Sequence, residues 1–177
     1  MQATEEGGGI AEGPHIYKLN GWYYLLTAEG GTSEMHQVWI ARSKLPLGPY
    51  EQPPKGVNPL VFNSGDPKVQ ATGHADIFQG EDGRWWMCML ARRVMTHGKS
   101  HLGRETYLAP MEWTEDGWPL VNGGRRIGLE VEAAGLPAKT TPKEWRDDFT
   151  DGEFGIRYIL CYRMVVQSVD IPDRETR

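Results

Sequence analysis

The same hairpin pattern occurs twice in this chain, about sixty residues apart. Each copy has two short segments rich in apolar and aromatic residues, separated by turn residues that favour a tight hairpin. The segments are 16–19 and 22–27 around Asn20-Gly21, and 75–79 and 85–90 around Asp82-Gly83. Asn-Gly supplies the two positive φ angles of a type I′ turn. The repeat therefore predicts β-hairpins and an all-β fold.

More strands follow each hairpin. Residues 38–41 and 106–113 have strand composition, and shorter segments at 48–51 and 118–121 are candidate edge strands. Long helices are disfavoured because 22 glycines and 12 prolines interrupt the chain. A closed β-propeller needs at least about four blades. We therefore predict a partial propeller of about two to three antiparallel four-stranded blades.

The charge and hydropathy of the chain exclude two classes of partner. The net charge is −5, from 24 acidic and 19 basic residues, and no run of Lys and Arg is long enough to follow a phosphate backbone. No apolar stretch approaches the roughly 20 residues of a membrane span. We expect neither nucleic acid nor a membrane as partner. Residues 1–9 show no apolar signal region, so both an extracellular and a cytoplasmic location remain open.

The first hairpin begins with the sequence Glu12-Gly13-Pro14. Since the first strand of a blade is its innermost, a carboxylate at this point is expected near the ring axis. Taken alone, Glu12 is more often an exposed glutamate at a strand end than a catalyst. Its neighbours in the sequence favour a functional role.

Glu12-Gly13-Pro14 begins the first of eight ordered landmarks in the chain. The landmarks are residues 12–18, 23–32, 40–43, 48–51, 72–76, 85–86, 102–106 and 112–119. Together they resemble glycoside hydrolase family 43, and the later ones resemble its β-xylosidase and α-L-arabinofuranosidase branch. The resemblance covers roughly residues 10–127. It implies a five-bladed propeller that hydrolyses xylosides and arabinosides with inversion, using a general base, a general acid and a third acidic residue.

The resemblance assigns roles to four residues. Glu12 is the general acid, Arg104 contacts the sugar, and His36 lies near a position with a substrate-side histidine. His74 matches a histidine that helps to hold a metal ion, usually calcium, at the ring axis; the chemistry itself requires no cofactor. From the residues alone, a histidine such as His74 is more often an interior hydrogen-bonded residue than a ligand, and the alternative role of Arg104 is a surface ion pair with Glu105.

The resemblance also places the base and the third acidic residue in blades that precede the Glu-Gly-Pro strand. Only eleven residues precede Glu12 here, and Asp66 and Asp76 come too late in the order to be those residues. We therefore expect this chain to lack the base. Five tryptophans are expected to pack between blades rather than stack on sugars. They are Trp22, Trp85, Trp86, Trp113 and Trp118.

We expect three regions: a propeller portion at 1–129, a linker at 130–144, and a C-terminal region at 145–177. The last region is expected to be a truncated or divergent start of a β-sandwich domain, because residues 145–149 resemble the entry into that domain. The expected activity is cleavage of xylosidic or arabinofuranosidic bonds in plant cell-wall polysaccharides or oligosaccharides. The expected partner is a xylo- or arabino-oligosaccharide. The alternative is a non-catalytic, carbohydrate-binding propeller fragment.

Overall fold

A computed structural model describes residues 11–132 of the chain, and these residues form two four-stranded antiparallel sheets. The first sheet has the order β1-β2-β3-β4 and the second β5-β6-β7-β8, so each strand pairs with its neighbours in sequence. This is the blade topology that the repeated hairpins predict. The strands of the first sheet are β1 (Ala11–Leu19), β2 (Trp22–Glu29), β3 (Gln37–Ser43) and β4 (Val61–Phe62).

The second sheet repeats the first with longer strands. Two short 3₁₀ turns, Thr96–Gly98 and Asn122–Gly124, lie in the connection before the third strand and directly after the fourth. No helix among residues 11–132 has the length and apolar character needed to cross a membrane. The strands are β5 (Val69–Gln79), β6 (Trp85–Arg93), β7 (Glu105–Trp113) and β8 (Pro119–Val121).

The β1–β2 turn has the predicted geometry. Asn20 has φ of 49° and Gly21 has φ of 76°, the two positive values of a type I′ turn. The register continues through Leu19↔Trp22 to Tyr17↔Tyr24 without a shift. The local Asn-Gly signal therefore sets the register of the first hairpin.

The edge strand of the first sheet differs from the sequence prediction. Residues 48–51 make one isolated bridge, Arg42↔Glu51, and the paired edge strand is β4, about ten residues later. Prolines explain the difference. Pro49, Pro53 and Pro54 have no backbone N–H to donate to a ladder, whereas Val61 and Phe62 are good strand formers.

The hydrophobic core lies where β2 and β3 of the first sheet meet β5 of the second. Leu26, Val38 and Ile40 are almost fully buried, as is Val69 at the start of β5. The prediction that the tryptophans belong to this packing is confirmed. Trp86 and Trp118 are buried, and Trp22, Trp85 and Trp113 are partly buried against the core.

The predicted domain limits stay predictions. The described residues include only 130–132 of the expected linker, and the expected β-sandwich start at 145–177 lies outside them.

Candidate active site

The ladder between β1 and β2 is interrupted directly after Glu12. Glu12 pairs with Ala28, and the register then shifts before His15 resumes pairing opposite Leu26. Gly13 lies inside this irregularity with φ of 51°, in the left-handed region that glycine tolerates. Bulges of this kind re-aim side chains at the ends of strands. The carboxyl of Glu12 is exposed at this point.

The ladder between β5 and β6 is interrupted at the corresponding place. Its register shifts twice, between Gln70 and Gly73 and between Gly73 and Asp76. Ala71 has φ of 55° and His74 has φ of 50°, both unusual for residues with a side chain. Backbone strain of this kind persists only where the surrounding packing supports it, and it concentrates at functional sites.

The two irregular segments touch each other. A Cβ added at Gly13 would overlap the imidazole of His74, 2.8 Å from Cδ2 and 2.9 Å from Cε1. The backbone next to Glu12 therefore lies against the His74 ring. This contact brings the first strands of the two sheets together beside the candidate acid.

His36, in the connection between β2 and β3, lies at the centre of the site with only 2% of its surface exposed. Its Nδ1 is 3.2 Å from the carbonyl oxygen of Ala71, and a carbonyl can only accept, so Nδ1 carries the proton. Burial lowers the pKa of His36, and the charges of His74 and Arg104 lower it further, against the opposing effects of the Ala71 bond and Glu12. Glu12, His74 and Arg104 are thus close enough to His36 for their charges to affect its pKa.

Arg104 lies just before β7 and is exposed. The alternative that it forms an ion pair with Glu105 is wrong. The carboxylate of Glu105 instead accepts hydrogen bonds from Arg93, from Nη2 at 3.0 Å and from Nε at 3.3 Å. Among residues 11–132, Arg104 makes no salt bridge. Within this part of the chain, no acidic side chain engages its guanidinium donors.

Residues 1–119 match the sequence model of Glycosyl hydrolases family 43. The chain belongs to this family. The family match covers both described sheets up to the first residue of β8. It confirms the resemblance that the sequence landmarks show.

Two curated family 43 relatives illustrate the relationship. A non-reducing end α-L-arabinofuranosidase of Bacteroides ovatus is 43% identical over 157 residues, which are 87% of this chain and 29% of the relative. A β-xylosidase of Bacillus subtilis is 37% identical over 164 residues, 84% of this chain and 30% of the relative. The chain thus spans less than a third of the length of these relatives.

Solved family 43 structures have the same fold. The Bacteroides ovatus xyloglucan PUL GH43B superposes with a TM-score of 0.73 at 43% identity, covering 83% of this chain and 29% of that structure. A xylan β-1,4-xylosidase from Bacillus halodurans gives 0.71 at 42% identity, covering 79% and 27%. The predicted propeller fold is confirmed, and the two described sheets are two of its blades.

The described residues do not form a metal site by themselves. No group of three or more His, Cys, Asp or Glu side chains within residues 11–132 is placed to hold a metal ion. Calcium prefers six to eight oxygen ligands, which the single imidazole of His74 does not approach. The role of His74 as a metal ligand therefore stays a prediction that requires water and other blades.

Sequence reasoning missed two polar features near the site. The hydroxyl of Tyr17 on β1 donates to the carboxylate of Asp76 on β5 and accepts from the N–H of Ile77 at 3.2 Å, so it joins the two first strands. Glu29, at the end of β2, is 2% exposed, and its burial raises the pKa of its carboxyl. Neither has a sequence signal, since partners 59 residues apart in the first case meet only through the fold.

Proposed function

We propose that this chain supplies two blades and the general acid of a glycoside hydrolase that cleaves xylosidic or arabinofuranosidic bonds by an inverting mechanism. The substrates are plant cell-wall polysaccharides or oligosaccharides. The observation that carries the proposal is the contact between the backbone beside Glu12 and the ring of His74, next to the buried His36. Relatives whose names specify α-L-arabinofuranosidase and β-xylosidase support the substrate class.

Glu12 has the chemistry of the acid. A protonated carboxyl gives its proton to the glycosidic oxygen as the bond to the anomeric carbon breaks. The exposed position of Glu12, at the irregular start of β1, allows its carboxyl to reach a bound ligand. Donation by a positioned acid contributes typically about 10²–10⁴-fold to the rate.

The proposal assigns the general base to blades outside the described residues. An inverting enzyme needs a carboxylate about 6.5–9.5 Å from the acid; it takes a proton from water, whose oxygen attacks the opposite face of the anomeric carbon. Asp66 instead accepts the N–H groups of Lys68 and Val69, at 2.8 and 2.9 Å. The carboxylate of Asp76 accepts hydrogen bonds from the hydroxyl of Tyr17 and from the backbone N–H of its neighbour Ile77.

Arg104 is the proposed sugar contact. Its planar guanidinium presents several N–H donors in a fixed geometry, which suits two adjacent hydroxyl oxygens. Because Glu105 is engaged by Arg93, it does not compete for these donors. The resemblance also places His36 on the substrate side, whereas its burial favours a role in positioning other residues.

A ring-complete protein tests this function. It consists of this chain preceded by the N-terminal blades of the Bacteroides ovatus arabinofuranosidase, its 43% identical relative. We expect turnover of aryl xylosides or arabinosides by the ring-complete protein and at most trace turnover by the 177-residue chain. Glu12→Ala in the ring-complete protein should lower the rate on xylobiose, whose leaving hydroxyl requires a proton, by about 10²–10⁴-fold.

Three outcomes would contradict parts of the proposal. Robust turnover by the 177-residue chain would show that the base lies within it. Unchanged turnover of xylobiose in Glu12→Ala would remove Glu12 from the mechanism. Binding of xylo-oligosaccharides without hydrolysis by the ring-complete protein would support the alternative, a non-catalytic carbohydrate-binding propeller.

A further inference from the structure

Two glycines allow the two site histidines to stack against backbone. Gly13 lies against the ring of His74, as described above. Gly73 lies against the ring of His36 in the same way, because a Cβ added at Gly73 would be almost equally close to Cδ2, Nε2 and Cε1, 2.5 Å from the last. Nearly equal distances to three ring atoms place that Cβ over the face of the imidazole. Both glycines therefore leave room that any other residue would fill.

The two contacts are linked through the chain. Gly13 follows Glu12 directly, and Gly73 directly precedes His74. The ring of His36 therefore lies against the backbone of β5 at Gly73, and the next residue, His74, carries the ring that lies against the backbone of β1 beside Glu12. We call this pair of contacts the histidine–glycine stack. A displacement of the backbone at Gly73 moves His74, and with it the surface against which the backbone beside Glu12 lies.

The ring of His36 is the fixed end of the stack. It is 2% exposed, and Nδ1–H donates to the carbonyl of Ala71, the residue that opens the irregular stretch of β5. Ala71 and His74 both have positive φ, on either side of Gly73. The ring therefore supports the strained turn that aims His74.

We propose that His36 and Gly73 are positioning residues, which set the place of Glu12 through the histidine–glycine stack without touching the sugar. The inference rests on the proposed function for its activity readout. It changes the role of His36 from a substrate contact to a support for β5. It also explains why a buried imidazole lies at the centre of a site whose other members, Glu12, His74 and Arg104, are exposed.

The first test is Gly73→Ala in the ring-complete protein. The added methyl must push the ring of His36 or the backbone of β5, and a displacement near 1 Å can cost about 10²-fold in rate. We expect kcat to fall by about that factor, with KM nearly unchanged. The matched control is Gly128→Ala, where φ is not positive and the nearest atom lies at an ordinary 3.7 Å. It should keep the parent kcat.

The second test is a double-mutant cycle. In the double variant Gly73→Ala/His36→Ala, the ring that the methyl strikes is gone, so we expect its kcat to equal that of His36→Ala alone, which itself falls with KM nearly unchanged. If His36 instead bound the sugar, His36→Ala alone would raise KM and the double variant would be worse than either single variant. That result would overturn the proposal.

A crystal structure of the Gly73→Ala ring-complete protein separates this inference from the proposed function. We expect the rings of His36 and His74 to be displaced while Arg104 keeps its place. Unmoved rings would overturn the stack even if activity fell, and displaced rings with parent kcat would overturn the positioning role. If the parent protein hydrolyses no glycoside, the proposed function fails, whereas ring displacement still decides whether the stack exists.

Discussion

At the scale of single residues, the buried His36 makes the stability of the fold depend on pH. Its pKa is lowered from 6.5 in the folded protein, chiefly by burial, so the unfolded chain takes up a proton that the native state resists. The contribution of the neutral His36 to the free energy of unfolding is therefore fully present above about pH 6.5, and it is lost as the pH falls from that value toward the pKa of the folded state. Urea unfolding of the ring-complete protein between pH 7.5 and about pH 5 should show this fall.

The variant His36→Gln isolates the contribution of this imidazole. Glutamine has an amide N–H for the Ala71 carbonyl but no titratable group, so the loss of stability on acidification should be smaller than in the parent. The exposed His97→Gln is the control and should retain the parent pH dependence. An identical fall in His36→Gln would show that another group is responsible.

At the scale of strands, the link between β1 and β5 depends on Tyr17. Its hydroxyl donates a hydrogen bond to the carboxylate of Asp76 and accepts one from the backbone N–H of Ile77. Burial and the hydrogen bond to Asp76 raise the pKa of the phenol. Tyr17→Phe removes this donor and should lower the free energy of unfolding by about 1 kcal/mol. Because the link lies on the strands that carry Glu12 and His74, kcat should fall as well.

The control for this variant is Tyr50→Phe. The hydroxyl of Tyr50 bonds the carbonyl of Pro46 within one loop, at 2.7 Å, so its loss leaves the two first strands joined. Denaturant unfolding and steady-state kinetics of both variants make the comparison. A kcat for Tyr17→Phe equal to that of Tyr50→Phe would show that the link does not affect the site.

The strands show which features a sequence can predict. Local signals sufficed for the hairpins, because Asn20-Gly21 specifies the turn and strand-forming residues flank it. The sequence did not predict the edge strand β4. Residues 48–51 are the first strand-like segment after β3, but prolines interrupt this region, and β3 pairs with Val61–Phe62 instead. The irregular stretch of β5 was also missed, since the positive φ of Ala71 depends on a contact with His36, 35 residues away.

The site was predictable to a different extent. The roles of Glu12, His74 and Arg104 are predictions from ordered motifs of a known family, and the charges of all three act on the buried His36. Their partners were not predictable. Glu105, adjacent to Arg104 in sequence, pairs across the sheet with Arg93 instead, because β6 brings that guanidinium within 3.0 Å.

At the scale of the whole molecule, Arg42 fastens the first sheet to the second. Its guanidinium carbon lies 4.2 Å from the ring centroid of Trp22 in the first sheet and 4.2 Å from that of Trp118 near the second. Its Nε donates a hydrogen bond to the carboxylate of Glu51 at 2.7 Å, and its Nη1 donates one to the carbonyl of Asp116 at 2.7 Å. Lysine cannot make these contacts together, because its ammonium is neither planar nor forked. Arg42→Lys should therefore lower the free energy of unfolding by about 1–3 kcal/mol.

The control for Arg42 is Arg84→Lys. Arg84 pairs at 2.6 Å with Asp82, two residues away in the same turn, so its replacement does not affect the contact between sheets. We expect a change below about 0.5 kcal/mol for this variant in urea unfolding. Equal losses in the two variants would show that Arg42 acts only as a local ion pair with Glu51.

The dependence of the rate on the leaving group decides whether Glu12 is the general acid. A dinitrophenolate departs without a proton, whereas the hydroxyl of a sugar or of methanol does not. In the ring-complete protein, Glu12→Gln should lose about 10²–10⁴-fold on xylobiose or the methyl glycoside and far less on the dinitrophenyl glycoside. The exposed Glu112→Gln should be unaffected on both. Equal losses on the two substrates, or no loss on either, would show that Glu12 does not protonate the leaving group.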